Sequence, residues 1–413
     1  MAADEGALAR TNRWLVSRFA QYYARAELDL PFRYTKREWA FLFFDKSFMV
    51  RHLAFDKRDR IQTYLRDQAP RHAYYSTAFY QDPGARTMLE KGWKGATLVF
   101  DLDSDHLPGA SKMTYEEMLA EVKKEFIKLV DKWLINKFGY DADDVHIVFS
   151  GGRGYHAHIE DPRVLELDAH ERREIVDLIT GKSIDLSTYF RQVAITGGKR
   201  MDGRGYTRKT YMLPPSSIGD WKGDLTKEAE KFYGEILHLV TEGQRPKAVK
   251  KIAELWKYDE IKAIYHLELL LKAGVAGHQR IDWLLSKGHA DLEEGMTAKD
   301  WEPLFNNLHI AMLGETDEPV TGDVKRLIRL PSSIHGKTGF VARHLTRDEL
   351  DAFDPLQDAL AFGRSAVEVE GTSDVSFELG GVTHHLERGK VVALPEYAAV
   401  FACLRGSAQI PPR

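Results

Sequence analysis

The sequence predicts an α+β fold in which a core of strands and helices carries an inserted helical region and a small β-rich tail. Three observations predict it. A strand-like run ending in acids (96–105) and a second strand-like run (145–150) bracket one long amphipathic segment. Residues 161–310 are mostly helical in pattern, with basic loops. From about residue 366 short alternating segments return (SAVEVEGTSDVSFELGGVTHHLERGKVVAL).

Residues 4–27 read as a helix, because Leu8, Trp14, Leu15, Phe19, Tyr22 and Tyr23 recur roughly at helical spacing. Between Arg37 and Phe55 the chain turns aromatic and β-like, with Asp45, Lys46 and Ser47 as a candidate turn. ATLVFDLDSD (96–105) is a buried strand ending in acids. The next helix is predicted over about 114–138, with Met118, Val122, Phe126, Leu129, Trp133 and Leu134 on its apolar face. Thr114 with Glu117 forms a capping-box pattern, and Gly139 is the expected stop. VHIVFS (145–150) completes a strand–helix–strand unit. VKRLIRLPSSIHGKTGF (324–340) returns to strand and turn. No internal repeat or low-complexity tract is present.

Composition narrows the function classes. The 413 residues are 43% hydrophobic and 29% charged, which suits a sizeable core. The formal net charge of -4 provides no global basic field, so nucleic-acid contact must come from local patches. The single cysteine, Cys403, excludes intrachain disulfides and any Cys-rich zinc or iron–sulfur site. It fits a reducing, cytoplasmic location. The N-terminus lacks a signal-peptide apolar core, and no run of about 18 apolar residues suggests a membrane span.

Three separated segments carry chemistry. Asp101 and Asp103 lie two apart on a strand, so both carboxylates share a face while Leu102 points the other way. Such a pair suits hard divalent ions in phosphoryl transfer; a lone DxD is more often a solvated strand end. In SGGRGYHAH (150–158), the glycines let backbone N–H groups approach an anion and Arg153 can grip a phosphate. His156 and His158 share a strand face, but no third nitrogen or sulfur ligand is evident nearby for a metal. The third segment, TDEPVTGDVKRLIRLPSSIHGKTG (316–339), sets Asp317 ahead of Arg326, Arg329, His335 and Lys337. Carboxylates for ions beside cations for phosphates are what a metal–triphosphate substrate needs. Taken alone, the second segment reads equally as a Gly-rich hairpin with a surface arginine, and the third as a solvated charged loop. Clustering of acids and bases in three separated segments makes the last less attractive. The loop GGKRMDGRGYTRK (197–209) is either a further basic strand-binding patch or a flexible solvated loop.

Together these segments resemble the catalytic small subunit of archaeo-eukaryotic DNA primases, the archaeal type in particular. FDLDSD is similar to the family's DxD metal motif, SGGRGYHAH to its SGxRGxH phosphate motif, and RLPSSIHGKTG to its third motif. REWAFLFF (37–44), PRHAYYSTAFY (70–80) and EKGWKGATLVFDLD (90–103) add to the likeness. It runs through about residues 10–160 and 310–345, in the family's order.

The resemblance implies a primase catalytic core with an RRM-like mixed sheet over 1–160 and 310–365, a helical insertion over 161–309, and a β-rich C-terminal segment over 366–413. It implies that Asp101, Asp103 and Asp317 hold two Mg²⁺ or Mn²⁺ ions, with Asp323 as the competitor for the third position. Ser150, Arg153 and His156 would contact the nucleotide triphosphate, and Arg329, His335 and Lys337 would complete that pocket. Arg37, Glu38 and Arg51 match a block near the nucleotide or primer side. Many members carry a Cys/His zinc knuckle after the DxD strand. Here DHLPGASKMTYEEM (105–118) offers His106 and no cysteine, so no zinc is expected. The implied activity is two-metal nucleotidyl transfer that makes short primers on single-stranded DNA. The implied partners are the template, nucleoside triphosphates and a primase large subunit. Two relatives of this reading are a repair or plasmid primase-polymerase and an inactive nucleic-acid-binding subunit. The three retained acids argue against the inactive form. A metal-dependent nuclease would use the carboxylates but not the phosphate-binding cations.

Overall fold

Period-two alternation in ATLVFDLDSD becomes a strand, Leu98–Asp103, whose Phe100 and Leu102 are buried. They face the helix Tyr115–Lys128, which starts from the Thr114/Glu117 capping box. Phe126 of that helix stacks on Tyr155 with ring centroids 5.3 Å apart. The helix continues in wider, π-type turns over Leu129–Lys137 and ends before Gly139. A computed structural model of the chain describes residues 2–106, 110–181, 188–199, 205–218, 221–273, 279–288, 290, 298–312 and 316–412.

The chain divides into two compact units, Met1–Thr180 with Gly314–Arg413, and Gly181–Leu313. The first holds two four-stranded sheets. One runs Arg343–Leu345, Val145–Phe149, Gly154–Ile159, Leu98–Asp103. The acid strand and Val145–Phe149 point the same way, but the histidine strand Gly154–Ile159 lies between them. Neighbours in this sheet are therefore antiparallel throughout, where a mixed sheet was expected. The other sheet runs Leu327–Arg329, His72–Ser76, Trp39–Leu42, Val50–Leu53, again antiparallel. The N-terminal helix, Ala2–Tyr23, ends four residues earlier than its aromatic spacing suggests. Its Phe19 and Tyr23 are buried.

The C-terminal segment is more helical than its sequence suggests. A three-stranded sheet (Val391–Pro395, Ala366–Gly371, Ala408–Gln409) and a hairpin (Val375–Leu379 with Val382–Leu386) accompany a buried helix, Glu396–Leu404. Cys403 is buried in that helix.

In the second unit the helices Trp221–Thr241, Arg245–Trp256, Glu260–Leu271, Arg280–Lys287 and Ala298–Met312 surround an aromatic core of Tyr233, Trp256, Trp301 and Phe305. The basic segment 197–209 is not simply a loop: Arg191–Lys199 pairs antiparallel with Gly205–Met212, and residues 200–204 lie outside the described residues. Among the described residues no helix is long and apolar enough to cross a membrane.

Candidate active site

The acid strand and histidine strand pair in register, Asp101 opposite His156 and Asp103 opposite Gly154. Directly opposed residues share a face, so both carboxylates and His156 project to one side, away from Phe100 and Leu102. That side opens on a cavity of about 700 Å³. Asp101, Asp103, Ser150, Arg153, His156, Arg329, His335 and Lys337 all line it. The structure thus brings together eight of the nine residues singled out in the sequence.

Asp317, the ninth, does not line the cavity. It is tied to the site through the main chain, its N–H donating to Asp101 O at 2.8 Å. It also lies close enough to act electrostatically on Asp101. Its competitor Asp323 is exposed and accepts from the N–H of Lys325 at 2.9 Å, a local turn contact.

The loop after Val145–Phe149 is held tightly. Gly152 N–H donates to Ser150 Oγ at 3.2 Å, and Ser150 N–H to Gly154 O at 2.9 Å. Gly151 has φ 76°, and a Cβ there would stand 2.8 Å from Cβ of His335. Only glycine allows this approach of the loop to the 335–339 turn. Thr338 locks the two together: its hydroxyl donates to Gly151 O at 2.6 Å, and its oxygen lies 3.1 Å from His335 Nδ1. With the Thr338 proton committed to Gly151, His335 Nδ1 must donate. The neutral ring therefore presents Nε2 as an acceptor.

Electrostatics divide the cavity. Burial, then Asp103 and Asp317, push the Asp101 carboxyl up to about 7, against a smaller opposing effect of Arg326. His156 Nε2 lies 3.4 Å from Asp101 Oδ1, but burial, then Arg329 and Arg326, push that imidazole down to about 3. It is a neutral neighbour and not a counter-ion. Arg153 Nη2 stands 3.7 Å from Asp103 Oδ1 and also pairs with Asp105. Burial pulls the Arg329 guanidinium down, and Arg329 donates to Tyr74 Oη at 3.0 Å. Its Nη1 is buried with no hydrogen-bond partner among the described residues. A buried guanidinium with a spare N–H at a cavity wall calls for an anion.

A sequence model of the DNA primase small subunit family matches residues 100–347, which include both acids, the glycine loop and the 335–339 turn. The chain belongs to the DNA primase small subunit family. It is 38% identical to the DNA primase small subunit PriS of Methanococcoides burtonii over 414 residues, covering 98% of this chain and 99% of that protein. It is likewise 38% identical to the DNA primase small subunit PriS of Methanocella arvoryzae over 98% of this chain and 99% of that one. It is 36% identical to that of Natronomonas pharaonis over 97% and 98%.

The primase family's two-metal chemistry can be tested against these residues. Among the described residues no three His, Cys, Asp or Glu side chains form a ready-made metal group. The donor set nevertheless fits a hard cation. Asp101 and Asp103 share one face, and burial, then like-charge repulsion from Asp103 and Asp317, raises Asp101, so a divalent ion would relieve the site.

The residues of the REWAFLFF block and Arg51 stand apart from the cavity lining. Arg37 is buried and donates to Phe32 O (2.7 Å), Ser76 O (2.8 Å) and Thr77 O (2.9 Å). Glu38 is buried between Arg51 and Lys91. None of Arg37, Glu38 and Arg51 lines the cavity. Sequence reasoning passed over Arg71, Tyr74, Tyr115 and Arg405, which do. Arg71 Nε donates to Gly336 O at 2.7 Å and so shapes the 335–339 turn. Arg71 and Tyr74 fall within PRHAYYSTAFY, so the segment was legible although the residues were not.

Proposed function

We propose that the chain is the catalytic small subunit of a DNA primase, building short primers on single-stranded DNA by template-directed nucleotidyl transfer. One observation carries this reading. A carboxylate pair and a set of phosphate-competent cations, Arg153, Arg329 and Lys337, face the same cavity. Carboxylates alone would serve a nuclease; the opposed cations suit a nucleoside triphosphate.

Asp101 and Asp103, joined by Asp317, would hold Mg²⁺ or Mn²⁺. Bound there, such ions would activate the attacking oxygen and neutralise charge on the leaving pyrophosphate. The chain's own residues do the positioning. Arg329 offers its spare Nη1–H to phosphate, and Arg153 and Lys337 add charge from the loop and the turn. Ser150 and Thr338 hold the two segments in place. A 3′-hydroxyl then attacks the α-phosphate in line, forming the phosphodiester and releasing pyrophosphate. His156 keeps a neutral ring beside Asp101, which leaves that carboxylate available as a ligand.

The template strand, nucleoside triphosphates and a large subunit are the expected partners, in a cytoplasmic complex without zinc. The proteins it resembles are named as small subunits, which supports the heterodimer. Primer synthesis by the purified chain on a single-stranded template tests the reading. Runs with ribonucleotides and deoxynucleotides, with and without divalent metal, should show metal-dependent products. No product under any of these conditions, with or without added large subunit, overturns it.

A further inference from the structure

The C-terminal helix Glu396–Leu404 lies beyond the region matched by the family model, yet it reaches the catalytic cavity. Its apolar side is built against the 335–339 turn. Phe401 stacks on Phe340 with centroids 5.7 Å apart. A Cβ on Gly339 would stand 2.9 Å from Val400 Cγ1 and 3.5 Å from Leu404 Cδ1. The helix thus braces the turn that carries His335 and Lys337, and its end is placed as firmly as the turn is.

That end delivers Arg405. Its N–H donates to Phe401 O at 3.1 Å, and Gly406 follows at φ 75°. The exposed guanidinium lies over the rings of Tyr115, at 5.0 Å, and Phe401, at 5.1 Å. Tyr115 is itself anchored, its hydroxyl donating to Gly152 O at 2.7 Å. The two rings under Arg405 are therefore fixed to the glycine loop on one side and the 335–339 turn on the other.

Three of the other four cavity arginines are engaged: Arg153 with Asp105 and Asp103, Arg71 with Gly336 O, and Arg329, which keeps one N–H spare, with Tyr74. The fourth, Arg326, has no side-chain partner among the described residues and stands on the strand side of the cavity, away from the C-terminal helix in sequence. Arg405 has no ion-pair partner among the described residues. A guanidinium held over aromatic rings by cation–π contact uses none of its N–H donors there, so they stay available to an anion. At the rim of a cavity lined by phosphate-competent cations, the complementary group is a phosphate. Arg405, Tyr115, Arg153 and Asp103 all line the same cavity, and the Tyr115 hydroxyl ties the ring beneath Arg405 to the glycine loop. Arg405 thus stands on the cavity that holds the loop and the acids.

We infer that Arg405 is a phosphate-binding residue of the catalytic cavity, supplied by the C-terminal helix and oriented by Tyr115. The inference rests on the primer-synthesis reading. The phosphate belongs either to the incoming nucleotide or to a polynucleotide strand crossing the rim.

The test uses the full chain and the variants Arg405→Ala, Arg405→Gln and Tyr115→Phe, each first compared with wild type by thermal melting. Nucleotide KM and kcat in primer extension, and affinity for a single-stranded oligonucleotide across a salt series, are then measured. Loss of one charged phosphate contact should weaken binding about tenfold. If the source is the nucleotide, KM rises by about that factor in Arg405→Ala and Arg405→Gln, with kcat and oligonucleotide affinity unchanged. If it is the strand, oligonucleotide affinity falls instead and the log–log salt slope shrinks by about 0.7. Tyr115→Phe, which frees the ring from Gly152, should show a smaller loss of the same kind. Variants that melt like wild type and keep both KM and oligonucleotide affinity within about twofold overturn the assignment. Arg405→Gln keeps a planar side chain on the rings, so it decides the matter if Arg405→Ala is destabilised. Wild-type protein that makes no primer refutes the functional reading, whereas binding of labelled nucleotide and oligonucleotide still reports on Arg405.

Discussion

The backbone N–H of Asp317 donates to the carbonyl oxygen of Asp101 at 2.8 Å, and Thr316 Oγ1 reaches the same oxygen at 3.3 Å. Main-chain contact therefore brings the third acid to the acid strand, at the start of the short helix Glu318–Gly322. Its effect on the Asp101 carboxyl follows from that placement.

Asp101→Asn should abolish nucleotide incorporation and yet stabilise the metal-free protein. The Asp101 carboxyl is raised from 3.8 to about 7 in the folded chain. Its contribution to stability is thus full below the unfolded value and is lost as pH rises through 7. The amide removes that penalty, which is at most about 4 kcal/mol. Melting at pH 8 without divalent ions should rise in Asp101→Asn. Mg²⁺ or Mn²⁺ should raise the melting temperature of wild type but not of the variant. A variant that keeps near wild-type synthesis would remove Asp101 from the metal site.

His335→Ala should raise the KM for nucleotide on the order of tenfold to a hundredfold, with template binding close to normal. The mutation removes a cavity side chain without touching the acids. Thr338→Val should share part of this effect, because it breaks the link from His335 to Gly151. Loss of DNA binding with nucleotide affinity intact would move the cluster to the template side.

Metal analysis of tag-free protein should find no tightly bound zinc. The chain has one cysteine, and Cys403 is buried in the C-terminal helix, where burial pushes its thiol up to about 12. A high thiol pKa disfavours the thiolate that zinc binds. One zinc per chain that survives mild chelation would contradict this.

The cavity was legible wherever chemistry and periodicity coincided. Asp101 and Asp103 obey the two-residue strand period, and the Thr114/Glu117 capping box marks the helix start where it occurs. The setting of Arg37 was not legible: it is buried and donates to the carbonyl groups of Phe32, Ser76 and Thr77, to Thr97 Oγ1 and to Glu160. Nothing local distinguishes a buried structural arginine from a binding one. Arg405 escaped notice for the converse reason. Its place at the cavity depends on Phe401 stacking on Phe340, a tertiary contact with no local sequence signal. The pairing of Arg191–Lys199 with Gly205–Met212 was hidden by a run of basic and glycine residues that reads as a loop.

Acid should destabilise this protein earlier than carboxylate protonation would. Burial pushes His72 down to about 2, His156 to about 3 and His266 to about 4, and holds His158 and His335 well below 6.5. In the unfolded chain each takes a proton near 6.5, while the folded chain keeps it neutral. Stability is thus fully present above 6.5 and falls as pH drops through that value. His384 is lowered too, whereas Asp101 (between 3.8 and 7), Glu160 and His344 are raised and work in the opposite direction, three groups against six. Urea midpoints should therefore fall between pH 7.5 and pH 5. His266 offers a separate check on the Gly181–Leu313 unit. Its ring lies 4.5 Å from that of Trp256, and its Nε2 lies 3.4 Å from Tyr233 Oη. His266→Gln should flatten the pH dependence of the unfolding phase reported by tryptophan fluorescence, at a cost in stability above pH 7. A midpoint that stays level from pH 7.5 to pH 5 in wild type would show that these histidines are accessible to protons in the folded chain.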